Sequence, residues 1–563
     1  MNYKLKFNDL IIKYFYKEFI ILFFFAILVF FLEIVSLGSV YPFLTTLTNK
    51  NNTFNIFGFN IENINLQLIA VSIFLIFVVK NFLEIFFIYT TGIVLKKIII
   101  KLTNISIEKE LFRNYIDYIK DNSAESIRNV RETTMCFRGY FEAEVTYYSQ
   151  ILTAISILFI LMLVDIKIMI IVSSLLSAFG LIFFSLVKNK SKKWGNELNI
   201  ISAILNEVIL KIKNNFIDIK ILKKEDYFKK LFNFQTERYS ELLRKQQFIP
   251  GITKNVFELL LLICVFIFFF LFSDNKSNNF ISLIPIIGIY SLATLKILPS
   301  INKIINASIS KKNLSFSIPI IYEIYDKENK KKFLLTNFYK FKNLKENQLI
   351  KLVNLSYSYK SKQYLFENIN ISINEGDFIG IQGQSGEGKS TLCKIIMGLI
   401  KPSNGKVYLN KKKFKRFEKN IFGYVPQKIF LFNDTIIKNI TLKEELSETD
   451  LINLKKSIEN SKMDEFVNLL PKGLKSVIHE NAKNFSGGQE QRIALARAFF
   501  CSPKIIILDE ATSALDSNIE TKIINSLYLL KNEYTIIIIS HKKNSLAKCN
   551  KVYNLSNKKL TRI

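Results

Sequence analysis

The stretch Gly383-Gln384-Ser385-Gly386-Glu387-Gly388-Lys389-Ser390-Thr391 follows the apolar run Phe378–Ile381 and opens a predicted helix over Leu392–Leu399. A glycine-rich loop between a buried strand and a helix is a phosphate cradle. Its backbone N–H groups surround the anion, and the helix N-terminus adds favourable field. In this pattern Gly383, Gln384, Ser385, Gly386, Glu387, Gly388 and Thr391 belong to the cradle. Lys389 reaches the β/γ-phosphate oxygens and Ser390 faces Mg²⁺. The loop predicts an α/β fold around a parallel sheet.

Further along, Lys504–Glu510 (KIIILDE) reads as a buried parallel strand ending in two acids. Downstream of a phosphate loop, Asp509 is placed to hold Mg²⁺, and Glu510 to polarise a water as general base. The run Phe485-Ser486-Gly487-Gly488-Gln489-Glu490-Gln491-Arg492 precedes that strand. Its hydroxyl and bare glycine backbone can meet a second anion at a helix N-terminus. His541, one of 2 histidines, follows the β-rich run Thr535–Ile539, where an imidazole can contact a terminal phosphate. The other, His479, has no such setting and reads as surface.

The 563 residues exceed one ordinary domain, and apolar composition divides them. Bilayer-length apolar runs, ~20 residues each, lie near 19–45, 67–95, 146–164, 166–187, 255–273 and 280–305, the third and fourth parted by a turn at Asp165. The first is too long for a cleavable leader and reads as an anchor. The short intervals 48–65 and 274–279 carry almost no lysine or arginine, whereas 96–138 and 188–248 are long, basic and helical. The positive-inside rule puts those long intervals and both termini on the cytoplasmic side. Each reads as helix, polar break and helix, as in Asn114–Val130 and Leu210–Phe228, and Tyr118–Ser126 and Lys213–Lys220 are candidate contacts to the soluble half. Kinks are expected at Pro42, Pro285 and Pro299.

The formal charge of +30 follows from lysines scattered along the chain and flanking apolar runs, a pattern that favours membrane orientation over nucleic acid. The 5 cysteines form no CxxC pair and imply neither a disulfide framework nor a zinc site. Glu33, Lys80, Glu84, Glu142, Glu144, Lys254, Glu258, Lys296 and Lys303 lie within or beside the spans. Such groups face a cavity or a partner, since a charge in hydrocarbon costs about 2.5–3.5 kcal/mol on insertion scales. Lys80 with Glu84, and Lys254 with Glu258, have the i,i+4 spacing of helical ion pairs. The alternative is a polar cavity in which Lys80, Lys254, Lys296 and Lys303 receive an anionic substrate.

Residues from about 350 to 563 resemble an ABC transporter ATPase domain, with the motifs in family order. The resemblance implies that Tyr359 stacks on adenine and that Gln427, in YVPQ, lies in the loop facing the membrane domain and reaches nucleotide and Mg²⁺. It assigns Ser486, Gly487, Gly488 and Gln489 to the signature, which completes the ATP site of a second copy, Ser513-Ala514-Leu515-Asp516 to the D-loop, and His541 to the switch histidine. Glu510, His541 and Lys389 are then the catalytic set. Phe485 replaces the usual leucine, and His479-Glu480-Asn481-Ala482 stands where exporters often carry Gly-Glu-x-Gly.

Six spans ahead of one such domain resemble an exporter half-transporter that works as a homodimer. The implied architecture is a six-helix transmembrane domain of the type I (also called type IV) ABC exporter fold over 1–330, a linker over 331–348 and the ATPase domain over 349–563. Leu32–Thr46, Leu298–Asn306 and Phe430–Thr441 are similar to bacterial lipid-linked oligosaccharide flippases of the protein-glycosylation type. That likeness implies ATP and Mg²⁺ as cofactors, a lipid or glycolipid substrate and the bacterial inner membrane as location. It also implies a cationic cavity belt and an external segment, here Asn55–Ile61. Lipid A-type lipids, drugs or peptides are the alternative cargoes; a non-transporting regulatory ATPase is the alternative class.

Overall fold

In the computed structural model, residues 3–48, 53–56, 59–62, 66–120, 123–273, 280–326, 339–359, 363–412, 420–479, 484–511 and 517–563 are described. They divide into two units, one of Met1–Arg113 with Lys120–Lys331 and one of Asn114–Ile119 with Lys332–Ile563.

The first unit is helical. After α1 (Tyr3–Tyr14), the first apolar run forms α2 (Tyr16–Gly38) and α3 (Val40–Thr48). The sequence predicts one helix kinked at Pro42, but the chain breaks at Ser39 instead. Proline lacks an N–H, so the carbonyl four residues back, at Gly38, loses its intrahelical donor, and the helix ends there. The hairpin β1 (Thr53–Ile56) and β2 (Phe59–Glu62) follows, pairing Asn55 with Asn60. It covers the described part of the expected external segment.

Two long helical hairpins come next. The first runs through α4 (Leu66–Leu111), the short α5 (Tyr115–Lys120) and α6 (Ser123–Val164). The second comprises α7 (Ile166–Asn214), the short α8 (Phe216–Ile221) and α9 (Glu225–Ser273). The predicted pattern of helix, break and helix thus becomes a long helix, a one-turn tip and a long return. Only Asp165 separates α6 from α7. The unit ends with α10 (Phe280–Leu314), continuous through Pro285 and Pro299, and α11 (Ser317–Asp326).

Among the described residues, the segments Tyr16–Leu47, Gln67–Leu111 and Glu125–Val164 are long and apolar enough to cross a membrane. The last three predicted runs lie on α7, α9 and α10. Outward apolar side chains such as Phe74 and Phe82 (67% and 71% exposed) are costly in water and suit lipid. Inside, Leu37 packs with Ile157, Leu161, Ile289 and Ile297, joining α2, α6 and α10. Gly195 allows α7 to approach α10, since a β-carbon there would lie 2.3 Å from the Asn313 carbonyl oxygen.

The second unit contains two sheets. One is built from β3 (Tyr339–Lys342), β4 (Gln348–Tyr357), β5 (Phe366–Asn374) and β7 (Asn404–Asn410), ordered β3-β7-β4-β5. β3 lies in the stretch read as linker, yet it pairs with β7, and the Tyr339 hydroxyl donates to the Ile396 carbonyl at 2.7 Å. The other contains β6 (Phe378–Gln382), β8 (Phe422–Val425), β9 (Ile505–Asp509), β10 (Thr535–Ile539), β11 (Lys551–Ser556) and β12 (Lys559–Arg562), ordered β12-β11-β6-β10-β9-β8. All its pairings are parallel except β11 with β12. Continuous Ile-rich runs such as Ile505–Leu508 and Ile536–Ile539 are buried on both faces, as a covered parallel sheet requires.

On this sheet α12 (Lys389–Ile396) follows β6, and α17 (Ser517–Leu529) follows β9. A helical group of α13 (Ile436–Thr441), α14 (Glu448–Asn460), α15 (Asp464–Val467) and α16 (Gly487–Phe500) has its own core around Leu431, Ile436, Leu454, Met463, Phe466 and Ile493. Phe485 packs at the edge of this core, its ring 6.4 Å from that of Phe466. The larger aromatic in place of leucine is therefore accommodated by burial. Segment 114–119 belongs to this unit, where Tyr115 and Ile116 pack on the sheet core and Lys394 lies 5.3 Å from the Tyr115 ring centroid.

Candidate functional site

β6, β10 and β9 lie side by side and point the same way, so their C-terminal ends deliver three loops to one edge. Ligands bind at such an edge in open α/β sheets. From β6 comes the loop 383–388, from β9 Asp509 and Glu510, and from β10 His541.

The glycine loop needs its glycines. Gly383, Gly386 and Gly388 have φ of 153°, 88° and 97°, values that side chains disfavour. Gly388 caps α12. Gln384, Ser385 and Gly386 are exposed, and the Gln384 N–H donates to the Glu387 carboxylate at 2.6 Å. Lys389 is buried and folds back, donating 2.8 Å hydrogen bonds to the carbonyls of Gly383 and Gln384. Burial pushes its ammonium below the usual lysine range, against the pull of nearby Glu510, Glu387 and Asp509. An anion in the cradle offers this ammonium the counter-charge that neutral carbonyls do not.

The Ser390 hydroxyl donates to one Asp509 oxygen at 3.0 Å, and Tyr424 donates to the other at 3.2 Å. Asp509 is buried, and desolvation raises its carboxyl above the ordinary range despite both bonds. A divalent cation would relieve that penalty. Among the described residues no group of three His, Cys, Asp or Glu side chains forms a metal cage. A serine hydroxyl beside one carboxylate fits Mg²⁺, which keeps water and substrate oxygens as ligands.

Glu510 stands just past β9 with φ of 51°, the left-handed region that costs a non-glycine residue energy. Its N–H is held by the Ile539 carbonyl at 3.1 Å. One carboxylate oxygen accepts from Gln427 Nε2 at 2.5 Å, and the other lies 2.7 Å from His541 Nε2. The glutamine, glutamate and histidine read from separate motifs therefore converge on one carboxylate. Strain and two partners fix its direction. Tyr359 is 62% exposed, and its hydroxyl lies 3.0 Å from that of Thr391, bringing the ring to the helix that follows the loop.

The signature stands apart from this cluster in chemistry. Ser486 caps α16, accepting from the Gln489 N–H at 3.3 Å, while the Gln489 side chain accepts from the Ser486 N–H at 2.9 Å. That reciprocal box satisfies two donors at the helix start. Ser486 and Gly487 are exposed. The D-loop 513–516 and residues 480–482 lie outside the described residues.

Two participants escaped the sequence reading. Tyr424 is one. The other is Glu520 on α17, buried, bound to the hydroxyl of buried Ser545 and to Lys542 Nζ at 3.0 Å. It ties the helix after β9 to the segment directly following His541. Nothing local to Glu520 indicates it, because its partners Lys542 and Ser545 lie on another element.

In the membrane unit Lys80 and Lys296 converge on Glu33, at 2.9 and 2.7 Å. Lys80 also makes the expected i,i+4 pair with Glu84 at 3.0 Å. Lys303 is exposed, and the side chains of Lys254 and Glu258 lie outside the described residues. Glu144 instead pairs with Lys311 at 2.6 Å. Glu142 is exposed beside Arg138 at 3.7 Å.

The sequence and the fold are similar to those of known proteins. Residues 366–513 match the family model described as ABC transporter. The chain is 33% identical over 222 residues to a probable ABC transporter ATP-binding/permease protein of Haemophilus influenzae, covering 39% of this chain and 40% of that one. It is 38% identical over 200 residues to an ATP-dependent lipid A-core flippase of Coxiella burnetii, covering 34% and 33%. Over 365 residues it is 28% identical to the lactococcin-A transport/processing protein of Lactococcus lactis, covering 62% and 48%. The chain thus spans about a third to a half of these relatives' lengths. The solved structure of a bacterial Atm1-family ABC exporter with ATP bound superposes with a TM-score of 0.75 at 16% identity, covering 95% of this chain and 94% of that one. Residues 366–513 therefore form an ABC transporter ATP-binding domain, and the whole chain has the ABC exporter fold.

Proposed function

We propose that this protein is an ATP-driven exporter that moves a lipid-linked oligosaccharide or related anionic glycolipid across the bacterial inner membrane. It works as a homodimer, with the ATPase domain and both termini in the cytoplasm. The observation that carries the ATPase reading is the convergence of Gln427 and His541 on Glu510, beside the Ser390–Asp509 pair.

Lys389 and the N–H groups of 383–391 bind and orient the phosphates. Ser390 and Asp509, with Gln427 nearby, would hold Mg²⁺, which would supply charge neutralisation at the phosphates. Glu510 accepts a proton from the attacking water, and His541 holds that carboxylate in direction. Tyr359 packs on the base. Residues 486–489 of the second copy cover the terminal phosphate, and the exposure of Ser486 and Gly487 in the single chain supports that role. The transmembrane domain takes residues 1–330 and the ATPase domain residues 349–563, joined by the linker 331–348.

For the cargo, the support is two lysines on α4 and α10 that meet at a buried carboxylate, together with the lipid A-core flippase among the relatives. Glu510→Gln protein, arrested with ATP bound, is expected to retain an anionic glycolipid through purification. Mass spectrometry of the extracted lipid checks this; bulk phospholipid alone would remove the glycolipid cargo and leave the ATPase reading standing.

A further inference from the structure

Glu33 carries more of the membrane site than its neighbours do. It is 1% exposed, and each of its two oxygens faces a different lysine, Lys80 on α4 and Lys296 on α10. The lysines differ in access. Lys80 has a second acid, Glu84, whereas Lys296 remains a quarter exposed and lies 4.9 Å from the Phe77 ring centroid. A bridging carboxylate between two ammonium groups occupies the place that a phosphate would take between them.

We infer that Glu33 is a selectivity carboxylate, which closes the Lys80–Lys296 pair to singly charged lipid headgroups and leaves it open to a headgroup phosphate carrying more than one negative charge. This rests on the anionic-cargo reading above. Glu33 is tethered, so it competes at high effective concentration with any arriving anion. A phosphodiester of charge one merely exchanges for the carboxylate. It leaves Glu33 buried without a partner, which is strongly unfavourable. A phosphomonoester or diphosphate brings a second charge and further acceptor oxygens. It therefore gains more at the two lysines than the displaced carboxylate loses. The discrimination comes from an internal competitor, with no need for a second binding pocket.

The test uses the full-length protein in nanodiscs holding phosphatidylcholine with equal parts phosphatidylglycerol and phosphatidic acid. The latter headgroup is a phosphomonoester, able to take a second negative charge that the phosphodiester cannot. Native mass spectrometry counts each lipid retained. Wild type is expected to prefer phosphatidic acid, and E33Q to lower that preference about fivefold or more, the lower end of ordinary site-to-site coupling. Adding Lys296→Gln to E33Q should abolish the phosphatidylglycerol gained. E33D keeps the charge and most of the volume but withdraws the carboxylate by one methylene. It should shift the ratio the same way and less far, and it carries the test if E33Q does not fold. An unchanged ratio in the variants, or a gain that survives Lys296→Gln, overturns the inference. Retention of neither anionic lipid by any form overturns the anionic-cargo reading itself.

Discussion

Glu510→Gln protein is expected to bind ATP as tightly as wild type and to hydrolyse it about 10²–10⁴-fold more slowly. The glutamine amide fills the same space and can still meet Gln427 and His541, so geometry and nucleotide affinity survive. What is lost is the capacity to accept a proton from water. The left-handed backbone at Glu510 argues that this position is held for direction, because an ordinary residue there relaxes to a commoner φ. Phosphate release from purified protein measures turnover, and filter retention of labelled ATP measures binding. A variant that loses affinity as well as turnover would place Glu510 among the binding residues. A variant that keeps more than about a tenth of wild-type turnover would remove it as general base.

Gly383→Ala should be damaging by a different route, at the level of ATP binding. A β-carbon at this position would lie 2.3 Å from the Leu555 carbonyl oxygen on β11 and 2.6 Å from the Glu387 carboxylate, at a φ of 153°. The carboxylate is the far end of a flexible side chain and can swing away. The carbonyl is backbone, fixed beside β6 by strand pairing, so the loop itself has to move. Overpacking of this kind costs about 1–3 kcal/mol. Lys389 anchors to the same Gly383 carbonyl, so the displacement reaches the ammonium proposed to meet the phosphates. ATP affinity is expected to fall about tenfold or more, as 1.4 kcal/mol is one decade. The melting temperature should drop with it. Gly386→Ala is the control, because a β-carbon there meets nothing within 4 Å, although its φ of 88° still carries a backbone penalty. Equal losses in the two variants would locate the effect in backbone conformation and contradict the steric account.

The sequence was most legible where chemistry and chain order coincide. The strand, glycine loop and helix of 378–396 are contiguous, and the acids of 509 and 510 end a strand apolar enough to be recognised as buried. Hydrophobic runs likewise marked the long helices, and the i,i+4 spacing of Lys80 and Glu84 marked their pair. Contacts made by tertiary packing were not legible. Glu33 and Lys296 lie 263 positions apart, and nothing local to either indicates the other. The Tyr424 bond to Asp509 depends on β8 lying beside β9, a strand order that periodicity does not encode. The break at Ser39 was nearly readable. Pro42 was recognised as the disruptive residue, but its effect falls four positions upstream, where the missing N–H is felt.

In the proposed homodimer each ATP site takes its phosphate loop from one chain and its signature from the other. Mixed dimers test this directly. Lys389→Ala and Ser486→Arg proteins, each inactive alone, are co-expressed with different tags and purified through both. If sites are shared, one site of the mixed dimer carries both lesions and the other carries neither. ATPase activity is then expected to reappear in the doubly tagged fraction. If each chain completes its own site, both sites stay damaged, and a doubly tagged fraction as inactive as its parents would contradict the account.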